Sequence, residues 1–424
     1  MTTDTKIIPS GYKQTEVGLI PNDWIVNRLE DIGNIATGST PPTRDRSNYG
    51  EEFLFVSPSD IGNFVYINDA EKKLSSKGFA LSRKFPKNST LFVCIGSTIG
   101  KTGVASKELT SNQQINAVFP SNSSDHLYIY YILTYLSGRI KLLAGEQAVP
   151  QINKTQFQST LIPLPPSKTE QTAIATALSG ADALIEKLEK LIEKKKNIKQ
   201  GAMQELLTGK RRLSGFSGDW EIKLMPDVAW FQEGPGVRTS QFTPSGVKLL
   251  NGTNIYKGKL LLDSTNRFIS ESEAFGPYSH FLVDEGDIVI ASSGITIDKF
   301  EEKISFVKKE HLPLCMNTST IRFKVRNNLL DSLFLYYFLM SKKFKDQIGA
   351  QATGSAQLNF GPSHVEKVEI FLPKDKKEQT AITAIISDMD TEIEKLESQL
   401  TKYQNIKQGM MQVLLTGKIR LISK

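Results

Sequence analysis

Residues 170–213 recur without a gap at residues 378–421, and 27 of the 44 paired positions are identical when every number is shifted by 208. Both copies open with Glu-Gln-Thr-Ala-Ile, at Glu170 and Glu378, and close with Leu-Leu-Thr-Gly-Lys, ending at Lys210 and Lys418. The stretches before each copy are far less alike. A fold for this chain must therefore use one connecting element twice, around two parts that differ. At 424 residues the chain exceeds one ordinary core, and the repeat divides it accordingly.

Within each copy the apolar residues step alternately by three and four. The first carries Ile174, Leu178, Ala181, Ile185, Leu188 and Ile192, and the second Ile382, Ile386, Met389, Ile393, Leu396, Leu400 and Tyr403. This is a heptad seam, which calls for a partner helix rather than a globular surface. Prolines stand before each copy (Pro165, Pro166, Pro373) and Thr-Gly after it (Thr208-Gly209, Thr416-Gly417), as helix start and stop signals. Each seam is expected to pair with the other, antiparallel, relating two globular domains by a pseudo-two-fold axis. A homodimeric coiled coil is the alternative. Lys194-Lys195-Lys196 with Lys199 forms a basic cluster, read as a solvated helix face in preference to a phosphate contact.

The dissimilar stretches share faint landmarks. Asp23-Trp24 is answered by Asp219-Trp220, and Gln151-Ile152-Asn153 by Gln357-Leu358-Asn359. Residues 125–133 and 331–339 each read as a buried helix beginning at an aspartate. Residues 53–56, 90–95, 287–291 and 320–325 are short, β-branched and bounded by turn formers, so they predict strands. The fold class expected is α/β, with two mixed α/β domains alternating with two long helices that pair as an antiparallel coiled coil. The expected boundaries are 1–166 and 211–374 for the domains, and 167–210 and 375–424 for the helical spacers.

Polar loops between the strands are the candidate recognition elements. In the first domain they contain Ser57, Ser59 and Asp60; Ser97, Thr98 and Lys101; and Asn112 with Gln113 in the run Ser111-Asn112-Gln113-Gln114. Their counterparts by position are Thr253 and Asn254; Ser293, Thr296 and Lys299; and Asn317 with Thr318, followed by Arg322. Asn and Gln pair bidentately with adenine, hydroxyls serve several base edges, and Lys and Arg serve phosphates or guanine. The same residue types also build turns. The seam residues Ile174, Leu178, Ile185, Leu188, Ile382, Ile386, Ile393 and Leu396 are assigned to helix pairing or subunit docking.

Other classes fit poorly. The run from Gly96 to Thr102 imitates a phosphate-binding loop, but that motif needs four residues between its glycines and here there are three. Cys94 and Cys315 lie in apolar runs and suit buried thiols. The four histidines have no ligand spacing around them, so no metal site is expected. No apolar run reaches membrane-spanning length and no secretory signal opens the chain, making the cytoplasm the default. A net charge of +7 favours a polyanionic partner.

Leu164-Pro165-Pro166 with Glu170-Gln171-Thr172-Ala173-Ile174, repeated as Leu372-Pro373 with Glu378-Gln379-Thr380-Ala381-Ile382, resembles the specificity subunit of type I restriction-modification systems. The resemblance extends over nearly the whole chain, through Gly18-Leu19-Ile20-Pro21-Asn22-Asp23-Trp24, Gly38-Ser39-Thr40-Pro41 and both closing Leu-Leu-Thr-Gly-Lys motifs. It implies a non-catalytic reader of double-stranded DNA, in which two target recognition domains read the halves of a bipartite, asymmetric site. It further implies two modification subunits that methylate adenine with S-adenosylmethionine, and restriction subunits using ATP and Mg in a larger complex, with no cofactor in this chain. A coiled-coil adaptor without sequence-specific DNA binding is the rival reading.

Overall fold

The computed structural model describes residues 8–62, 64–145, 148–263, 265–326, 329–351 and 357–422, with the backbone alone at 297 and 298. The chain forms two compact units. One joins residues 1–189 to 398–424, and the other is the continuous stretch 190–397.

Both long helices form where the heptad seams predict them, at Lys168–Leu206 and Lys376–Leu414, 39 residues each. In the first unit, the start of the first helix packs against the end of the second. Ile174, Ala175 and Leu178 share a core with Met411, Leu414 and Leu415. In the second unit, Met203, Leu206 and Leu207 of the first helix meet Ile382 and Ile386 of the second. Early residues of one helix meet late residues of the other in both cases, so the pairing is antiparallel and within one chain. Ile393 is also buried, whereas Ile185, Leu188 and Leu396 are half-buried, as a seam covered from one side alone requires. Lys194 and Lys196 of the lysine cluster are exposed, as a solvated face requires, and the cluster is in addition paired with acids of the other helix. Lys195 pairs with Glu392 at 2.6 Å, Lys196 with Glu397 at 2.6 Å and Lys199 with Asp390 at 2.5 Å, all across the helix pair.

The repeated motifs owe their identity to buried polar partnerships. In the first unit Gln171 accepts from the backbone N–H of Asp125 at 2.9 Å and donates to the Pro165 carbonyl at 3.0 Å. Gln379 does the same for Asp331 and Pro373, at 2.7 and 2.8 Å. Asp125 and Asp331 in turn cap the helices His126–Lys141 and Ser332–Met340, accepting two backbone N–H groups each. Glu170 and Glu378 are each 1% exposed and each is gripped by an arginine from just beyond the other long helix. Arg420 forks onto Glu170 and onto Asp23, at 2.9 and 3.0 Å from the latter. Arg212 forks onto Glu378 at 2.7 and 2.8 Å. Between helix and arginine the chain turns at Gly417 and Gly209 with φ of +68° and +66°. A Cβ on Gly417 would lie 2.5 Å from Pro21, so glycine is required twice over. A second repeated set joins helix to domain: Tyr131 donates to Asp182 at 2.6 Å, which pairs with Lys407 at 2.5 Å. Tyr337, Asp390 and Lys199 repeat it in the second unit, with Tyr337 donating at 3.0 Å.

Each globular domain is built on two larger sheets rather than a single one, with two-stranded pairings beside them. In the first, one sheet orders Gly33–Thr37, Ile115–Pro120, Thr90–Val93, Thr102–Ala105 and Tyr66–Ile67. The other orders Lys72–Leu74, Tyr49–Val56, Leu109–Ser111 and Lys84–Phe85. In the second domain these become Ala229–Glu233, Thr320–Val325, Ile288–Ala291 and Ile304–Phe306, beside Phe268–Ile269, Val247–Leu250 and Leu314–Met316. The tryptophan landmarks mark where each domain closes. Ile25–Arg28 pairs antiparallel with Leu161–Leu164, and Trp220–Leu224 with Glu369–Pro373, so incoming and outgoing strands meet just before the long helix. Cys94 and Cys315 are buried free thiols, as expected.

Candidate nucleic-acid interface

The chain leaves the smaller sheet of each domain through a turn of the same build. Ser57 begins a short 3₁₀ turn in which Asp60 Oδ2 accepts from the Ser57 backbone N–H at 2.8 Å and from its hydroxyl at 2.6 Å. Asp60 Oδ1 accepts from the Glu71 N–H at 3.0 Å. Asn254 plays the same part in the second domain, accepting from the Asn251 N–H at 3.0 Å while 4% exposed. Asp60 and Asn254 thus hold their turns in shape, and Ser59 and Thr253 are the exposed residues between.

The next turn is tied to the first. The Asn112 N–H donates to the Val56 carbonyl at 3.1 Å, and the Asn317 N–H to the Leu250 carbonyl at 3.0 Å. A third strand end closes in from the larger sheet: a Cβ on Gly38 would sit 2.1 Å from the Asn112 carbonyl oxygen, and one on Gly234 2.3 Å from that of Asn317. These glycines therefore admit a further loop to each cluster. In the first domain that loop brings Thr40 to Gln113, donating to Oε1 at 2.7 Å, and exposes Arg44; in the second it exposes Arg238. Gln113 and Thr318 are exposed, Asn112 is half-buried, and Asn317 is buried with its amide donating to Asn251 at 3.0 Å. A groove of about 580 Å³ opens beside the first-domain turn, lined by Thr40, Tyr49, Lys72, Asn112, Gln113 and Gln114 among others.

The glycine-rich run at 96–101 is a hairpin connection between Thr90–Val93 and Thr102–Ala105, which pair antiparallel. Gly96 and Gly100 have φ of +93° and +100°, and the segment after Lys101 is a strand rather than the helix a phosphate-binding loop opens. Ser97 is exposed and Thr98 half-buried. Ile95 bridges to Gln151 here, and Ile295–Thr296 pairs with Gln357–Leu358 in the second domain, which accounts for the shared Gln-Ile/Leu-Asn landmark. Asn359 Oδ1 accepts from the Ser293 hydroxyl at 3.0 Å and from the Gly294 N–H at 2.8 Å.

Two positional equivalences change. Lys101 lies over the first turn with Nζ 3.4 Å from the Pro58 carbonyl, and immediately precedes a strand. The residue with that place and that contact in the second domain is Lys303, whose Nζ donates to the Ile255 carbonyl at 2.8 Å and lies 3.4 Å from that of Gly252. Burial lowers its pKa. Lys299, the expected counterpart, and Thr296 are exposed on the 3₁₀ segment Ile297–Lys303 and its approach, which lengthen this hairpin. Arg322 is 5% exposed and spent internally, on Gln232 at 3.1 Å, the His280 carbonyl at 2.8 Å, the Leu282 carbonyl and Asp287, over the Trp230 ring. It builds the domain and does not face a ligand. Sequence reasoning passed over Lys303 and the loop after Gly234, and took Gly38-Ser39-Thr40-Pro41 for a family landmark rather than a recognition element. The one available signal was the recurrence of glycine after each first sheet strand.

Two diverged loop-bearing domains, clamped by identical motifs to paired helices, define a scaffold for recognition. Among the described residues no group of His, Cys, Asp or Glu could hold a metal ion, and no helix is long and apolar enough to cross a membrane. The family described as the type I restriction modification DNA specificity domain matches residues 21–200 and again 217–402. The chain belongs to that family and is a DNA-sequence-specificity subunit of a type I restriction-modification complex. It is 27% identical to the type I restriction enzyme MjaVIII specificity subunit of Methanocaldococcus jannaschii over 97% of this chain and 96% of that one. With the MjaIX specificity subunit of the same organism it shares 24% over 97% and 96%. The crystal structure of the type I S subunit from M. genitalium superposes with a TM-score of 0.56 at 17% identity, over 92% of this chain and 96% of that one, which speaks for the shared fold.

Proposed function

We propose that residues 1–166 and 211–374 are target recognition domains, each reading one half of a bipartite, asymmetric duplex site. Residues 167–210 and 375–424 serve as the spacer between them and as the docking surface for two modification subunits. The observation that carries this reading is the contrast between the two halves. The buried motifs that clamp helix to domain are the same residues in both units, while the exposed residues of equivalent turns differ: Gln113 against Thr318, Ser59 against Thr253. Different readers held in equivalent mounts imply unequal half-sites.

In this reading Ser59, Ser97, Thr98, Lys101 and Gln113, and in the second domain Thr253, Ser293, Thr296, Lys299 and Thr318, meet the duplex. Ser57, Asp60, Asn112, Asn254 and Asn317 shape the turns that carry them. Each mismatched base costs roughly 1–3 kcal/mol and separated positions add, so two readers multiply their selectivity. Half-sites read from one face lie near one helical turn apart, about 34 Å. Methyl transfer from S-adenosylmethionine and ATP- and Mg-dependent restriction belong to partner subunits in the cytoplasm. The test maps methylated adenines in genomic DNA with and without this chain, then repeats the map after deleting one heptad from both helices. A changed spacer with unchanged half-sites is expected; changed bases with an intact spacer would refute the ruler role.

A further inference from the structure

The turn after Leu109–Ser111 fixes the orientation of its own amides. Asn112 Oδ1 accepts the backbone N–H of Gln114 at 3.0 Å, and a backbone amide can only donate. The other end of the Asn112 side chain is therefore Nδ2, which donates to Gln114 Oε1 at 3.0 Å. That clasp holds the Gln114 oxygen against Asn112 and leaves its Nε2 on the other side, 4.0 Å from where a Cβ on Gly96 of the neighbouring hairpin would lie, while Gln114 itself lines the groove with Thr40, Tyr49, Lys72 and Gln113. Gln113 Oε1 is taken in turn by the Thr40 hydroxyl at 2.7 Å. Both glutamine oxygens are engaged within the cluster, so the turn offers N–H donors outward.

This departs from the usual pairing of Asn or Gln with adenine, which needs one donor and one acceptor from the same amide. In the major groove, guanine offers two adjacent acceptors, N7 and O6. Adenine sets an amino donor beside N7, cytosine offers an amino donor, and thymine has one acceptor next to a methyl group. Two outward donors meet like donors on adenine and cytosine, and find two acceptors on guanine alone. The second domain lacks the device, because Asn317 spends its amide on Asn251 and the residue at the next position is Thr318.

We propose that Gln114 is a specificity-determining residue and that, together with Gln113, it selects a guanine in the half-site read by the first domain. This rests on the reading of that domain as a target reader. Asn112 and Thr40 are positioning residues, acting through the orientation of the two glutamines.

The test uses the subunit assembled with its modification subunits, and scores methylation of a mapped site. Gln114→Glu keeps the backbone N–H and the inward oxygen of the clasp, and replaces the outward donor by an acceptor. One guanine in one half-site should cease to be required, with methylation of the original site falling by roughly 5- to 150-fold and a base bearing an amino donor accepted in its place. The other half-site should be unchanged. On the unaltered protein, 7-deazaguanine at that position, which lacks N7, should slow methylation, whereas hypoxanthine, which keeps N7 and O6, should not. Retention of every guanine by a fully assembled Gln114→Glu complex overturns the assignment. Should that variant fail to assemble, indifference of the unaltered protein to 7-deazaguanine throughout both half-sites overturns it equally. Absence of any bipartite methylated motif overturns the two-reader function itself, a result distinct from a bipartite motif whose guanines ignore Gln114.

Discussion

Replacing Arg420 by alanine should open the first unit while leaving the second closed. The guanidinium supplies both hydrogen bonds described for the Glu170 carboxylate, which is 1% exposed, and also forks onto Asp23. Removing one partner of a buried ion pair costs about 3–5 kcal/mol, since the remaining charge is stranded. Arg420 is 25% exposed, so water reaches part of the vacated space and the lower end, about 3 kcal/mol, applies. Arg212→Ala should cost less, about 2 kcal/mol, because Arg212 is 32% exposed and the Trp220 indole N–H remains 3.4 Å from Glu378. Hydrogen exchange read by peptide suits the question, as it reports each unit separately. For Arg420→Ala, protection over residues 12–28 and 161–178 should fall by about 100-fold, the equivalent of about 3 kcal/mol, with residues 220–224 and 369–386 unaffected. Adding Glu170→Gln removes the stranded charge and should recover about 1–2 kcal/mol. A loss below about fivefold, or a double variant no better than the single one, refutes the reasoning.

Glycine substitutions should split by environment. Gly417→Ala meets Pro21 at 2.5 Å in a left-handed conformation and should destabilise the first unit by about 1–3 kcal/mol, whereas Gly180→Ala, in a helix with nothing within 4 Å, should stabilise by up to about 1 kcal/mol in thermal unfolding. Lys303→Met should lower stability by about 1–2 kcal/mol through the hydrogen bond lost at the Ile255 carbonyl, while Lys299→Ala should leave stability within about 0.5 kcal/mol and, if Lys299 meets a phosphate, lower the salt slope of DNA binding by about 0.9. Burial pushes the Cys94 and Cys315 thiols up to about 12, so the reactive thiolate is scarce below that pH. Iodoacetamide at pH 8 should therefore label neither until urea unfolds the chain, and rapid labelling of the folded protein would contradict their burial.

The paired helices were legible because a heptad seam is periodic and long, and periodicity is what a linear string displays best. The capping aspartates Asp125 and Asp331 announced their helices for the same reason: the cap and the helix it serves are adjacent in sequence. What the string concealed were partnerships over long separations. Glu170 and Arg420 are 250 positions apart, and only the fold explains why both copies keep them. Lysine clusters look alike whether solvated or paired; Lys195, Lys196 and Lys199 declared themselves through acids on the other helix. The misplacement of Lys299 for Lys303 has a simple cause. The 3₁₀ segment Ile297–Lys303 lengthens one hairpin, and counting from a glycine then lands four residues early. Loop residues also hide whether they point outward or hold a turn, which separates Ser59 from Asp60 and Thr253 from Asn254.

The division of the chain has a bearing on how it is made. The second unit is one uninterrupted stretch, residues 190–397, whereas the first joins residues 1–189 to 398–424. Domains generally fold in the order of synthesis, the N-terminal one first. Here that order is inverted at the last step. Trp24 and Glu170 emerge from the ribosome early, yet Gly417 and Arg420, which cover and neutralise them, emerge after the whole second unit. Until then the first domain exposes the apolar face around Ile174 and Leu178 and a carboxylate without its counter-ion, so the half translated first is the half completed last.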